Sequence, residues 1–316
     1  MTKYIDVHHH LLPSFYRDAL IEAKIPEIYG IKLPEWSLDL SKEAMERHNI
    51  RAAITSISTP GVFFGDRGVA INLARQCNDY AANLSVKHPK TYGSFATLPL
   101  PDINATLDEI VYALDILKME GVTLLSNYSG NLLGNPIFQP VFSELEKRHA
   151  TVFIHPTIPS PCCAEMNFLP ASMFEFMCDS SRTIVNMLFS GIFEKYGNIK
   201  FIVPHAGGAI PYLAGRLDLY QILMPSLKEN IPKGVYHYLK KLYYDTAMST
   251  STATLRCLSE LVPVENILVG TDFTFVIDQG IEQELRLLEE YPYFTNVDRE
   301  LIYYKNMERL FPKFRI

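Results

Sequence analysis

The chain has 316 residues, 48% hydrophobic and 20% charged, enough to bury a large core without disulfide staples. Its 29 basic and 35 acidic residues give a net charge of −6 with no long basic run, which excludes nucleic acid or an anionic membrane as main partner. No apolar run reaches membrane-spanning length, no signal-peptide pattern opens the chain, and its 5 cysteines show no Cys-x-x-Cys spacing, so it reads as cytoplasmic with reduced thiols.

In chain order, the first predicted strand is Tyr4–Val7, running into three histidines in IDVHHHLLP. Alternate side chains of a strand share a face, so His8 and His10 point one way and His9 the other. Asp6 is expected away from the ligand pair's side, as a supporting or packing residue. An excursion at 11–40 follows, with Pro13, Pro26, Pro34 and Trp36. Further strands are expected at Ala53–Ser56, Tyr92–Thr97, Val122–Ser126, Val152–His155, Phe201–Pro204, Leu242–Asp245 and Ile267–Thr271. Helical periodicity falls between them. Residues 69–87 set Ile71, Leu73, Ala74, Cys77, Tyr80, Ala81 and Leu84 largely on one stripe. Further helices are predicted over 106–119, between Asn104 and Gly121 as caps, and over 140–148, 181–196, 209–223, 249–258 and 281–290. A proline-rich insertion at 156–171 interrupts the alternation after the fifth strand and contains the vicinal pair Cys162 and Cys163.

Strands alternating with helices imply parallel pairing through right-handed crossovers, and eight such units close most simply into a (β/α)8 TIM barrel. An open doubly wound sheet would carry a glycine-rich phosphate loop after its first strand, where histidines stand instead. One domain over 1–316 is expected, with the excursion at 11–40 and the insertion at 156–171 rising on the active face as lids or specificity elements.

On the barrel, ligand-type residues gather where strands run out: His8 and His10 on the first, His155 on the fifth, His205 on the sixth and Asp272 on the eighth. That is the rim where barrel active sites are built. Imidazole nitrogens and a carboxylate suit zinc or another borderline divalent ion, and such a set leaves a position open for water or substrate. The assignment is His8, His10, His155 and Asp272 as ligands to one divalent metal, most simply Zn, with His205 as general acid/base. Asp272 is also expected to take part in proton transfer. Asp245, ending the seventh strand, is expected to orient substrate or a ligand, or to cap the next helix. Asn127 and Tyr128 are weaker candidates of the same kind.

These motifs resemble the amidohydrolase superfamily, and within it the group of aminocarboxymuconate-semialdehyde decarboxylase and its relatives. The resemblance runs through IDVHHHLLP, ITSISTPGV, HPKTYGSFATLPL, NPIFQPVFSELEKRHATVFIHP, KFIVPHAGGAIPYLAGRLD and ILVGTDF. It implies a divalent metal, typically zinc, on the residues matching His8, His10, His155 and Asp272, and acid/base catalysis by the one matching His205. It also implies a homodimer in which Arg216 reaches a neighbouring subunit's site and binds substrate carboxylate, a task suited to a planar guanidinium. The position of the family's second substrate arginine holds Glu43, with Arg47 one turn later, so the muconate semialdehyde itself is not carried over. Several members have Glu-x-His at the first pair, where this chain has His-x-His.

The expected function is non-oxidative decarboxylation of a small unsaturated or aromatic carboxylic acid. The alternative is hydrolysis of an ester, lactone or amide, which needs the same Lewis acid and base. A clamp of Arg216 with another cation would favour the first, and an apolar pocket without a clamp the second.

Overall fold

The computed structural model describes residues 4–158 and 169–315. Cys162, Cys163 and most of the expected insertion at 156–171 lie outside the described residues. Eight strands form one sheet in chain order: β1 (Tyr4–His10), β2 (Ile50–Ser56), β3 (Tyr92–Ala96), β4 (Gly121–Leu125), β5 (Thr151–His155), β6 (Lys200–Val203), β7 (Tyr243–Asp245) and β8 (Ile267–Leu268). Every neighbouring pair is parallel. Past β8 the chain returns to β1, through Val7 N donating to Val269 O at 2.9 Å and parallel bridges Asp6 to Val269 and His9 to Phe273. The sheet is a nearly closed barrel.

Helices cover its outside: α1 (Ser14–Glu22), α2 (Leu38–Arg47), α3 (Arg67–Lys87), α4 (Ile103–Val111), α5 (Gln139–Lys147), α6 (Glu175–Phe189), α7 (Ile210–Leu223), α8 (Thr252–Leu261) and α9 (Asp278–Glu290). Side-chain caps start four of them, Ser37 on α2, Asp66 on α3, Asp102 on α4 and Ser251 on α8. Asp102, rather than Asn104, therefore begins α4, and a π-helical turn at Tyr112–Ile116 extends it.

Ile5, Val7, Ala52, Ile54, Phe95, Phe153, Ile202 and Leu268 pack together as the barrel interior. Met307, Leu310, Phe311 and Phe314, from the C-terminal segment, complete that cluster and plug the end remote from the histidines. Among the described residues no helix is long and apolar enough to cross a membrane.

The first strand is not a plain alternation. Asp6 pairs with Ala53 and His9 with Thr55, so three steps on β1 match two on β2. This bulge re-aims the chain. Ile5 and Val7 face the interior, and beyond the extra residue His8 does too, its ring edge-on to Phe153 at 4.9 Å. Asp6 and His9 share the outer side, joined by Asp6 Oδ2 to His9 Nδ1 at 3.0 Å.

The excursion at 11–40 contains α1, a hairpin, Glu27–Ile28 with Ile31–Lys32, and the start of α2. Backbone of Tyr29 and Ala171 joins it to the described end of the second insertion, Ala171 N donating to Tyr29 O at 3.2 Å.

Candidate metal centre

The strand ends bring His8, His10, His155 and Asp272 into one buried cluster, with a ligand atom from each and all within 4.8 Å of one another. His8 Nε2 lies 3.0 Å from His10 Nε2, and Asp272 Oδ1 lies 3.3 Å and 3.1 Å from those two nitrogens. Asp272 reaches in from a residue with φ of +56°, in the left-handed region that non-glycine residues enter at a cost. Its backbone N–H donates to His8 O at 2.9 Å, which fixes the two residues to each other.

Outer hydrogen bonds decide what the imidazoles offer. His8 Nδ1 lies 2.8 Å from Asp245 Oδ2, His10 Nδ1 3.1 Å from Ser56 Oγ and 3.3 Å from Ser56 O, and His155 Nδ1 2.8 Å from Pro156 O. Carboxylate and carbonyl oxygens only accept, so they hold His8 and His155 as Nδ1–H tautomers, and Ser56 O does the same for His10. All three Nε2 lone pairs then converge with a carboxylate oxygen. Lone pairs at 3.0 Å repel unless a cation stands between them. The donor set, three nitrogens and one oxygen, fits a borderline divalent ion.

The electrostatics agree. Burial pushes the His8 imidazole down, but Asp245 and Asp272 outweigh it and hold it up at about 10. Burial together with the charge on His8 holds His10 below the usual range, and burial with His10 and His8 holds His155 well below it. Asp272 is pushed up by burial, yet His8, His10 and His205 keep it well below the usual carboxylate range. The cluster thus favours one positive charge at its centre, a proton on His8 or a cation in its place, and keeps His10, His155 and Asp272 deprotonated. A buried His/Asp cluster of this kind suggests one metal ion.

His205 stands beside the cluster, Nε2 3.5 Å from Asp272 Oδ2, with Nδ1 buried and unpartnered among the described residues. It sits in a run of four positive φ values, His205, Ala206, Gly207 and Gly208. The two glycines are required there. A Cβ on Gly207 would come 2.7 Å from Tyr244, and one on Gly208 would come 2.6 Å from Met177 O.

Asp245 lies behind His8 rather than in the cavity. Its Oδ1 accepts from the backbone N–H of His205 at 2.8 Å and of Ala247 at 3.0 Å, so one carboxylate ties a ligand to the His205 turn. Asp6 does similar work on the other side of β1, accepting from the backbone N–H of His8 at 3.0 Å and of Thr271 at 3.1 Å. The signal for both roles was present only as an acidic residue next to a ligand strand.

Above the cluster lies a cavity of about 250 Å³, whose floor includes His155, Asp272, Ser58 and Thr59. Ile28, Ile31, Phe176, Met248, Phe275 and Val276 make its walls apolar, and no Lys or Arg lines it among the described residues. Arg216 is exposed on α7, 6.0 Å over the Tyr220 ring. Arg47 pairs with Asp278, away from the cavity. Asn127 and Tyr128 line a neighbouring cavity instead.

The amidohydrolase family model matches residues 5–313. A 6-methylsalicylic acid decarboxylase of Aspergillus aculeatus is 37% identical over 294 residues, covering 90% of this chain and 88% of that protein. A crystal structure of an amidohydrolase II superposes with a TM-score of 0.91 at 32% identity, covering 97% of this chain and 99% of that one. The 5-carboxyvanillate decarboxylase of Novosphingobium aromaticivorans, complexed with manganese, shares the fold alone, with a TM-score of 0.86 at 20% identity over 98% of this chain and 96% of its own.

Proposed function

The chain belongs to the amidohydrolase family, and from that premise we propose that it is a divalent-metal-dependent, non-oxidative decarboxylase of a small aromatic carboxylic acid. The observation that carries the reading is the convergence of three imidazole lone pairs and one carboxylate at the floor of an apolar cavity. The decarboxylase relative supports this chemistry over hydrolysis.

His8, His10, His155 and Asp272 would hold the ion, which when bound supplies Lewis-acid charge to the substrate's anionic group. That role supplies the positive charge that this chain's own cavity lining lacks among the described residues. The clampless cavity, by itself a sign of hydrolysis, is thereby reconciled with a carboxylic acid. The apolar walls hold the ring and exclude water. His205, its Nε2 3.5 Å from Asp272 Oδ2, delivers a proton to the ring carbon that bears the carboxylate. The carbon–carboxylate bond then breaks, its electron pair restores the ring, and CO₂ leaves. The reaction consumes one proton and releases one CO₂ per acid.

Asp245 is assigned a positioning role through His8 and the His205 turn, in place of substrate contact. Zinc suits the donor set, while the manganese of the 5-carboxyvanillate enzyme makes that metal the alternative. A homodimer is supported by α7, which exposes Tyr212 at 82%, Ile222 at 72% and Leu223 at 61% beside Arg216. Arg216 would then serve the partner's cavity. The reading treats 1–316 as one barrel unit in the cytoplasm, consistent with free Cys77, Cys178 and Cys257.

The test is CO₂ release over a panel of hydroxylated and alkylated benzoic acids, beside hydrolysis of their esters and lactones. CO₂ release that His205→Ala lowers by at least about a hundredfold is the expected result. Hydrolysis without CO₂ would move the enzyme to the hydrolase side.

A further inference from the structure

Tyr29 occupies a position where tyrosine is costly. The hairpin Glu27–Ile28 and Ile31–Lys32 closes on Tyr29 and Gly30, with φ of +50° and +86°. A two-residue turn with both central residues at positive φ favours Asn and Gly, and a bulky side chain there is an outlier. Such strain persists where the side chain is needed.

Its contacts say what for. The Tyr29 hydroxyl lies 2.9 Å from Thr157 Oγ1 and accepts from Ile158 N at 3.3 Å. Thr59 Oγ1 donates to Thr157 Oγ1 at 2.8 Å. The Tyr29 ring stands edge-on to Phe176 at 5.8 Å. Thr59 and Phe176 belong to the metal cavity. Tyr29 and Thr157 belong to a second cavity of about 190 Å³, which extends to Val62, Leu98, Leu100 and Thr123. The row Thr59, Thr157, Tyr29 therefore runs from one cavity to the other. Among the described residues no charged side chain lines the second cavity, and there the buried Thr123 Oγ1 has no hydrogen-bond partner.

We infer that Tyr29 is a specificity-determining residue, the partition that confines the acid to the metal cavity and bars a longer, uncharged ring substituent from the second one. This rests on the decarboxylase reading and adds a limit on substrate length. The second cavity, neutral and largely apolar with hydroxyl groups, suits an alkyl or hydroxyalkyl chain and not a second carboxylate.

The test compares wild type with Tyr29→Asn, Tyr29→Gly and Tyr29→Phe on methyl- and butyl-substituted hydroxybenzoic acids. Metal content and melting temperature are measured on each sample. Asn and Gly both suit the turn, so the fold is retained while the partition is removed. They are expected to raise the butyl-to-methyl ratio of kcat/KM by at least about tenfold, whereas Phe, which keeps the bulk, changes it by less than about threefold. Filling the second cavity with Val62→Phe in the Tyr29→Asn background should cancel the gain. An unchanged ratio in both Asn and Gly variants, at wild-type metal content and stability, would overturn the inference. No CO₂ from any acid with wild type would instead refute the decarboxylase reading. The partition is then decided by calorimetric binding of butylphenol, which Asn and Gly should tighten and an absent effect would refute.

Discussion

At the scale of single residues, the site depends on side chains that never face the cavity. Asp245 fixes the His8 tautomer and at the same time holds the backbone that presents His205. Asp245→Asn should therefore weaken metal affinity by about 10–100-fold, as loss of an outer partner typically does. Chelator competition on the purified variant measures this, and unchanged affinity would remove Asp245 from the account. Gly270 makes that arrangement possible, since a Cβ there would lie 2.9 Å from His8 Cβ and 3.0 Å from Asp245 Cγ. The four clustered residues were legible because polar ligand types stand out where apolar strands end. The work of Asp245 was legible only as one of three readings, orienting a ligand, orienting substrate or capping a helix, because its partner His8 lies 237 residues away.

At the scale of elements, strand positions were readable from short apolar runs, but their lengths were not. The eighth strand is regular only over Ile267–Leu268, with isolated bridges to β1 at Val269 and Phe273, because the chain past it turns to present Asp272. The bulge in β1 left no sequence signal, although it alone puts Asp6 opposite His8 despite their even spacing. The C-terminal plug was also unread, since Met307, Leu310, Phe311 and Phe314 show a purpose only once the barrel has an open end to fill. One element-level strut gives a pH prediction. On α6, Asp179 accepts from Ser126 Oγ and from Asn127 Nδ2, the latter at 3.2 Å, tying that helix to the chain beyond β4. Burial raises its pKa above the ordinary value, against the pull of those donors and Arg182. A native pKa above the unfolded one makes the protonated form the stabilising one, so that stability is full below the unfolded pKa and is lost as pH rises through the native value. Asp179→Asn, which mimics the protonated form, should gain in melting temperature relative to wild type as pH rises from about 4 to 7. A pH-independent difference would contradict this.

At the scale of the whole molecule, the barrel directs every ligand strand end to one rim and seals the other with its own C-terminus. What lies outside one chain is the assembly. If α7 packs on a second copy, Tyr212→Asp with Ile222→Asp should convert a dimer to a monomer in light scattering, and the monomer should lose substrate binding through Arg216. A wild-type monomer would contradict the dimer. Sequence could not decide this, because an exposed apolar helix face looks the same before and after its partner is known. The central claim is that His8, His10, His155 and Asp272 together hold the ion on which decarboxylation depends. Its most direct test is CO₂ release measured while metal is returned to metal-free protein. The rate should rise in proportion to bound metal and saturate at about one equivalent per chain, with neither metal nor CO₂ release recovered in His155→Ala. Full CO₂ release from the metal-free protein would contradict it.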